Sequence, residues 1–115
     1  MWYNERMNKQ AQKIYDIISN YINGQEVPLS STEGIPENEK AVILTMEDRN
    51  TGWKWKVYEG QITKYPDGQT TCTMFGRVDG FESELGYFDL QEIIEATIQP
   101  SGFSSLFFNG RTMGA

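Results

Sequence analysis

Phe75-Gly-Arg-Val-Asp-Gly-Phe-Glu-Ser-Glu-Leu-Gly-Tyr-Phe-Asp-Leu-Gln-Glu-Ile93 is the stretch whose reading decides the fold. It runs as a strand into Val78, a glycine-punctuated acidic turn, a second short strand over 85–88, and the start of a capped helix. Asp89 is placed to accept the amide of Glu92, Glu92 to reach back to the amide of Asp89, and Phe88 to staple against Ile93. A hairpin that runs straight into a helix is an α+β arrangement. The helix is expected to reach about Ile98, where Pro100 and Gly102 stop it.

Upstream, Thr71 to Val78 is the strand entering this hairpin, and Pro66-Asp67-Gly68 is the turn before it. Proline presets φ, aspartate bonds the backbone ahead, and glycine accepts positive φ. Trp53 to Glu59 is a further strand, on which Trp53, Trp55 and Val57 share one face and Lys54, Lys56 and Tyr58 the other. The first face is expected to be buried and the second wet. Ala41 to Met46 pairs with it across the turn 48–52.

Between Asn4 and Tyr21, the residues Met7, Ala11, Ile14, Ile18 and Tyr21 recur at three- and four-residue intervals, which predicts an amphipathic helix. Asn4 is its expected N-cap, with Glu5 in the first turn, and Asn23-Gly24 its stop. Ile17 and Ile22 widen the stripe, so the helix should lie on the sheet. Residues 25–40, with two prolines, Ser30-Ser31-Thr32 and Pro36-Glu-Asn-Glu39, form a solvated connection. At the other end 103–108 is a candidate last strand and 109–115 a frayed tail. The expected architecture is one α+β domain over 1–115: an N-terminal helix packed on a four- to five-stranded antiparallel sheet, with a short second helix near the C-terminus.

Taken with Pro28-Leu-Ser-Ser-Thr-Glu-Gly34 and Trp53-Lys-Trp-Lys-Val-Tyr-Glu-Gly60, the hairpin segment resembles the domain-of-unknown-function family 2958, small proteins carried mostly on bacterial plasmids, integrative elements and phages. The resemblance covers about 28–98. Matching positions are Pro28, Thr32, Glu33, Trp53, Trp55, Glu59, Phe75, Gly76, Gly80, Glu84, Leu85, Gly86, Tyr87, Leu90 and Glu92. The N-terminal helix is longer than the family's, and Ser104-Ser-Leu-Phe-Phe108 stands where the family often has a charged Arg-Asp strand. The resemblance implies a mobile-element setting and no particular chemistry.

Composition narrows the function classes. A chain of 115 residues with 15 aromatics has enough apolar surface for one core. No 18-residue apolar run is present, so no membrane helix is expected. The N-terminus lacks the pattern of a secretory signal and Cys72 is the only cysteine, which together point to the bacterial cytoplasm. The formal charge is −6, and Asp79, Glu82, Glu84, Asp89, Glu92 and Glu95 account for it, because residues 79–95 contain no lysine or arginine and the rest of the chain is balanced. A field of that sign disfavours phosphate backbones and favours basic proteins.

Chemistry is sparse. With no histidine and one cysteine, neither a histidine-based triad nor a zinc site can be assembled. Cys72 reads as a buried strand thiol. The glycines do not have phosphate-loop spacing. The carboxylates Glu33, Glu59, Glu84 and Glu92 remain as a set that strand ends could bring together, for proton sharing or for Mg²⁺ or Ca²⁺.

The residues point to a non-catalytic protein with no cofactor and no metal, binding a partner of basic surface through Asp79, Glu82, Glu84 and Glu95; the resemblance implies that the role is that of an accessory or counter-defence factor and the partner a host or mobile-element protein. The alternative is a small-ligand or single-stranded nucleic-acid binder using Trp53, Lys54, Lys56 and Tyr58, since exposed rings flanked by cations stack bases.

Overall fold

The computed structural model describes residues 7–110. Helix α1 (Lys9–Gln25) opens at Asn8, whose side-chain oxygen accepts the Ala11 amide at 2.8 Å. The N-cap expected at Asn4, with Glu5 behind it, lies outside the described residues. Asn23 and Gly24 do not stop the helix; both are helical, and the chain leaves at Glu26 with φ 56°. Tertiary contacts override the local stop. Ile22 is buried in the core, and just past the helix the Val27 carbonyl accepts the Gly60 amide at 2.9 Å.

Five antiparallel strands follow: β1 (Leu44–Asp48), β2 (Lys54–Lys64), β3 (Thr70–Asp79), β4 (Ser83–Asp89) and, after helix α2 (Leu90–Thr97), β5 (Leu106–Gly110). Their order across the sheet is β4-β3-β2-β1-β5. The expected α+β fold is thus the observed one. Both helices lie on one face, where Ile14, Ile18 and Ile22 of α1 and Leu90, Ile93 and Ile94 of α2 share a core with Leu44, Met46, Trp55, Val57 and Met74 of the sheet. Cys72 is buried in the same core, and burial pushes its thiol up to about 12, which keeps it protonated and inert. Among the described residues no helix is long and apolar enough to cross a membrane.

The turns follow the residues that form them. Gly68 takes φ 89° and Asp67 accepts the Gln69 amide at 3.0 Å, as the Pro-Asp-Gly signal requires. Asp89 caps α2 through the Gln91 amide at 2.8 Å, one residue earlier than the Glu92 amide expected. The strand begun at Trp53 does not end at Glu59 but continues through Gly60 to Lys64. Gly60 is there for space, since a Cβ on it would sit 2.5 Å from Ile22 Cγ2. The last strand lies later than expected, and takes in Asn109 and Gly110 of the presumed tail. The loop before it is closed by the Ile98–Ser104 bridge. Residues 111–115 of that tail lie outside the described residues.

Between Val57 and Glu59 the β2–β3 register shifts by one, with Val57 opposite Gly76 and Glu59 opposite Phe75. This is a β-bulge at Tyr58. It carries the core face from Trp55 and Val57 onto Gly60 and Ile62, the partners of Met74 and Cys72. The bulged backbone presses against Gly76, where a Cβ would lie 1.8 Å from the Lys56 carbonyl oxygen. Gly86, paired with Gly76 on β4, has nothing within 4 Å of its own Cβ position.

These two glycines give a matched test. Gly76→Ala should destabilise by about 3 kcal/mol or more, because backbone must move. Gly86→Ala should be neutral or slightly stabilising, since alanine is the better strand residue. Urea unfolding of both variants measures the difference, and equal midpoints would refute the bulge contact.

Candidate functional site

The bulge sets consecutive side chains Tyr58 and Glu59 against the connection 26–40, which crosses the sheet face opposite the helices. The Glu59 carboxylate is 2% exposed and receives the Ser30 amide at 2.7 Å, the Thr32 amide at 3.0 Å and the Thr32 hydroxyl. Lys40 donates to the Thr32 hydroxyl at 2.8 Å and to the Thr32 carbonyl. Ser30 is held at φ 72°, a region a serine seldom occupies, and its amide thereby reaches the carboxylate. One residue along, the Tyr58 hydroxyl donates at 2.8 Å to Glu37, which also takes a two-pronged contact from the Arg77 guanidinium of β3. Two carboxylates therefore pin the connection down as a strap, one from the sheet and one from the strap itself.

Their electrostatics follow from these partners. Burial raises the Glu59 carboxyl, but the Thr32 hydroxyl, the two strap amides and the Lys40 charge outweigh it and leave it below the ordinary value. Glu37 is lowered to about 2, first by the Arg77 hydrogen bond and then by Tyr58. Tyr58 is pushed up to about 12 by burial and by the Glu37 carboxylate it donates to. All three are locked in their neutral-pH charge states. A general acid needs a raised carboxyl, so these two carboxylates are built as acceptors and not as proton donors.

Between the strap and β4 lies a cleft of about 290 Å³, lined by Glu33, Ile35 and Lys40 on one side and Phe75, Leu85 and Tyr87 on the other. The Phe75 and Tyr87 rings pack at 5.0 Å. Of the four carboxylates singled out in the sequence, Glu33 and Glu59 meet here. Glu84 does not: it pairs with Val78 on the helix side of the sheet. Glu92 lies on α2, beside a separate depression formed with Tyr65, Gln69 and Glu95. Among the described residues no group of three or more acids or cysteines is placed to hold a metal ion.

The acidic run 79–95 is likewise divided. Asp79, Glu82 and Glu84 cluster at the β3–β4 connection, while Glu95 stands on α2, beyond the far end of β4. Ser83 and Asp89 are six residue steps apart along the strand, about 20 Å. At the connection Phe81 is 96% exposed and meets Trp53 edge-on, with ring centroids 5.6 Å apart. Gly80 permits this, because a Cβ there would lie 2.7 Å from the Trp53 ring. β4 is the first strand of the sheet, and it exposes Leu85 (43%) and Tyr87 (64%) along an edge with no strand neighbour among the described residues.

The Trp/Lys set is split as well. Lys54 and Lys56 are exposed on the strap side, Trp53 is half-buried on the helix side, and Tyr58 is buried under the strap instead of being wet as expected. The strap is the reason: Tyr58 keeps the face that the alternation gives it, but Glu37 of the connection covers that face there and accepts its hydroxyl. Comparisons with known protein families, with curated proteins and with solved structures find no match to this chain.

The strap supplies a pH-dependent test. Glu59 and Glu37 have carboxyls below their ordinary values in the folded state, as does Asp48, which lies outside the strap at the end of β1 and accepts from Ser105, Asn50 and Thr51. Their stabilisation is complete above the unfolded values, near 4.5 for the two glutamates, and is lost as pH falls through the folded ones. Glu59→Gln should cost about 1–3 kcal/mol at pH 7, because an amide NH₂ then faces amide donors. It should also flatten the fall in melting temperature below pH 4.5. Circular dichroism melts from pH 7 to pH 3 measure both, and an unchanged slope would remove Glu59 from this role.

Proposed function

We propose that the protein is a non-catalytic binding protein that engages a basic partner protein through the β3–β4 hairpin and the outer edge of β4. The observation that carries this reading is the hairpin itself. It leaves Phe81 in solvent at the β3–β4 connection and Leu85 and Tyr87 exposed on the strap-side face of the edge strand, within a run of seventeen residues, 79–95, that contains six acids and no base. Large exposed apolar side chains grouped on an edge mark contact surfaces. Glu82 and Glu84 beside them would repel a second copy of the same edge, and favour a partner of opposite charge.

On the family resemblance described above, the setting is a bacterial plasmid, integrative element or phage, the compartment is the cytoplasm, and the role is that of an accessory or counter-defence factor. A host protein whose basic face normally binds nucleic acid is the partner class that fits the charge.

The second reading is supported by a different feature. Lys54, Lys56, Thr45, Phe107 and Asn109 line a depression of about 420 Å³ on the strap side of the sheet, large enough for a small anion or a nucleotide. Its charge is offset by Glu47 and Asp79, which flank Lys54 in register on both neighbouring strands. Binding of nucleic acid is thus the weaker alternative.

Tagged protein captured from nuclease-treated bacterial lysate should retain a basic partner. A Glu82→Gln/Glu84→Gln variant should lose it at least about tenfold and show a shallower salt dependence, with no change in melting temperature. Capture that survives this variant but fails on Lys54→Ala/Lys56→Ala would reverse the order of the two readings.

A further inference from the structure

Deepening the reading above, and resting on it for the class of partner, we propose that the recess between Trp53 and Phe81 is a receptor for one arginine side chain of the partner. The recess is lined by Trp53, Val78, Phe81, Glu82 and Glu84, and holds about 250 Å³. That is below the range of drug-sized ligand pockets and suits a single side chain. Its two rings meet edge to face, at 84°, and the 96% exposure of Phe81 leaves ring surface open to a ligand. Glu82 and Glu84 at its rim are exposed.

A ring face attracts a cation, and a carboxylate beside it completes the charge. Guanidinium satisfies both demands at once, since it is planar enough to stack and its fork of N–H groups meets a carboxylate in two places. The molecule already uses this chemistry internally: the Arg49 guanidinium lies 3.5 Å over the Phe107 ring. The chain's own cations near the hairpin are directed elsewhere. Arg77 is bound to Glu37, and Lys54 is opposite Asp79 on the other face of the sheet.

Location supports an intermolecular role. Val78 and Glu84 are paired on the helix side of the sheet, yet Glu84 is exposed there. Helix α2 begins at the opposite end of β4, and its eight residues extend about 12 Å against about 23 Å for the strand, so it stops short of the hairpin tip. Phe81 remains at the surface, where a ring so exposed contributes little to folding.

The test titrates ¹⁵N-labelled full-length protein with acetyl-Gly-Arg-Gly-amide, and in parallel with the lysine and alanine peptides, following the Trp53 indole N–H. The arginine peptide should give a saturable shift and bind more tightly than the lysine peptide, and the alanine peptide should give none. Phe81→Ala should weaken the arginine peptide by about two- to fivefold, the range for a cation–π contact at an exposed site. Glu82→Gln/Glu84→Gln should weaken it further, with melting temperatures unchanged in both variants. Absence of a saturable shift, equal affinity for the lysine peptide, or an undiminished response in Phe81→Ala would overturn the assignment. Because no partner is needed, a positive titration beside a failed lysate capture would retain the receptor and reject the functional reading, and the converse would do the opposite.

Discussion

The strap across the sheet depends on one buried carboxylate. Glu59 is 2% exposed, and an ionised group there is tolerable only because strap donors surround it. The dependence runs both ways. Without Glu59 the amides of Ser30 and Thr32 lose their acceptor, and without the strap Glu59 would be an uncompensated charge. The bulge makes this possible, because it turns Tyr58 and Glu59 toward the strap in succession where a regular strand would send one of them into the core. Gly76 in turn makes room for the bulge. A single backbone irregularity thus couples a glycine on β3, a carboxylate on β2 and a fifteen-residue connection.

This arrangement divides the molecule by task. The helix face holds the core. The strap occupies the middle of the opposite face and ties up Glu37, Arg77 and Tyr58 in a closed network. Left outside both coverings are the β3–β4 hairpin and the edge of β4, where the apolar groups are exposed and the net charge is negative. Rigid support beneath an exposed edge lowers the ordering cost of binding. The lysine-bearing half of the sheet is also open, but its charges alternate in sign along the register, which weakens any field it projects.

Much of the fold was legible because it rests on local signals. The three- and four-residue spacing of α1, the Pro-Asp-Gly turn and the Asp89 cap each carry their own physical cause. The helix stop expected at Asn23-Gly24 failed because core packing of Ile22 overrules it, while the cap expected at Asn4 lies outside the described residues. At the site, the split of the acidic run into two ends of β4 follows from strand length, which a charge count does not contain. The strap network was missed because Glu37 and Lys40 sit in a stretch that reads as solvated loop. One signal did exist. Trp53, Trp55 and Val57 alternate on the core face, and strict alternation would put the charged Glu59 there next, which is the one mark the bulge leaves in the sequence.

The most direct measurement is backbone hydrogen exchange on the protein alone and bound to its captured partner. New protection should be confined to residues 79–88, with the strap amides of Ser30 and Thr32 already protected in the free protein. Protection that instead falls on 44–56 and 106–109, leaving the hairpin unchanged, would contradict binding through the hairpin.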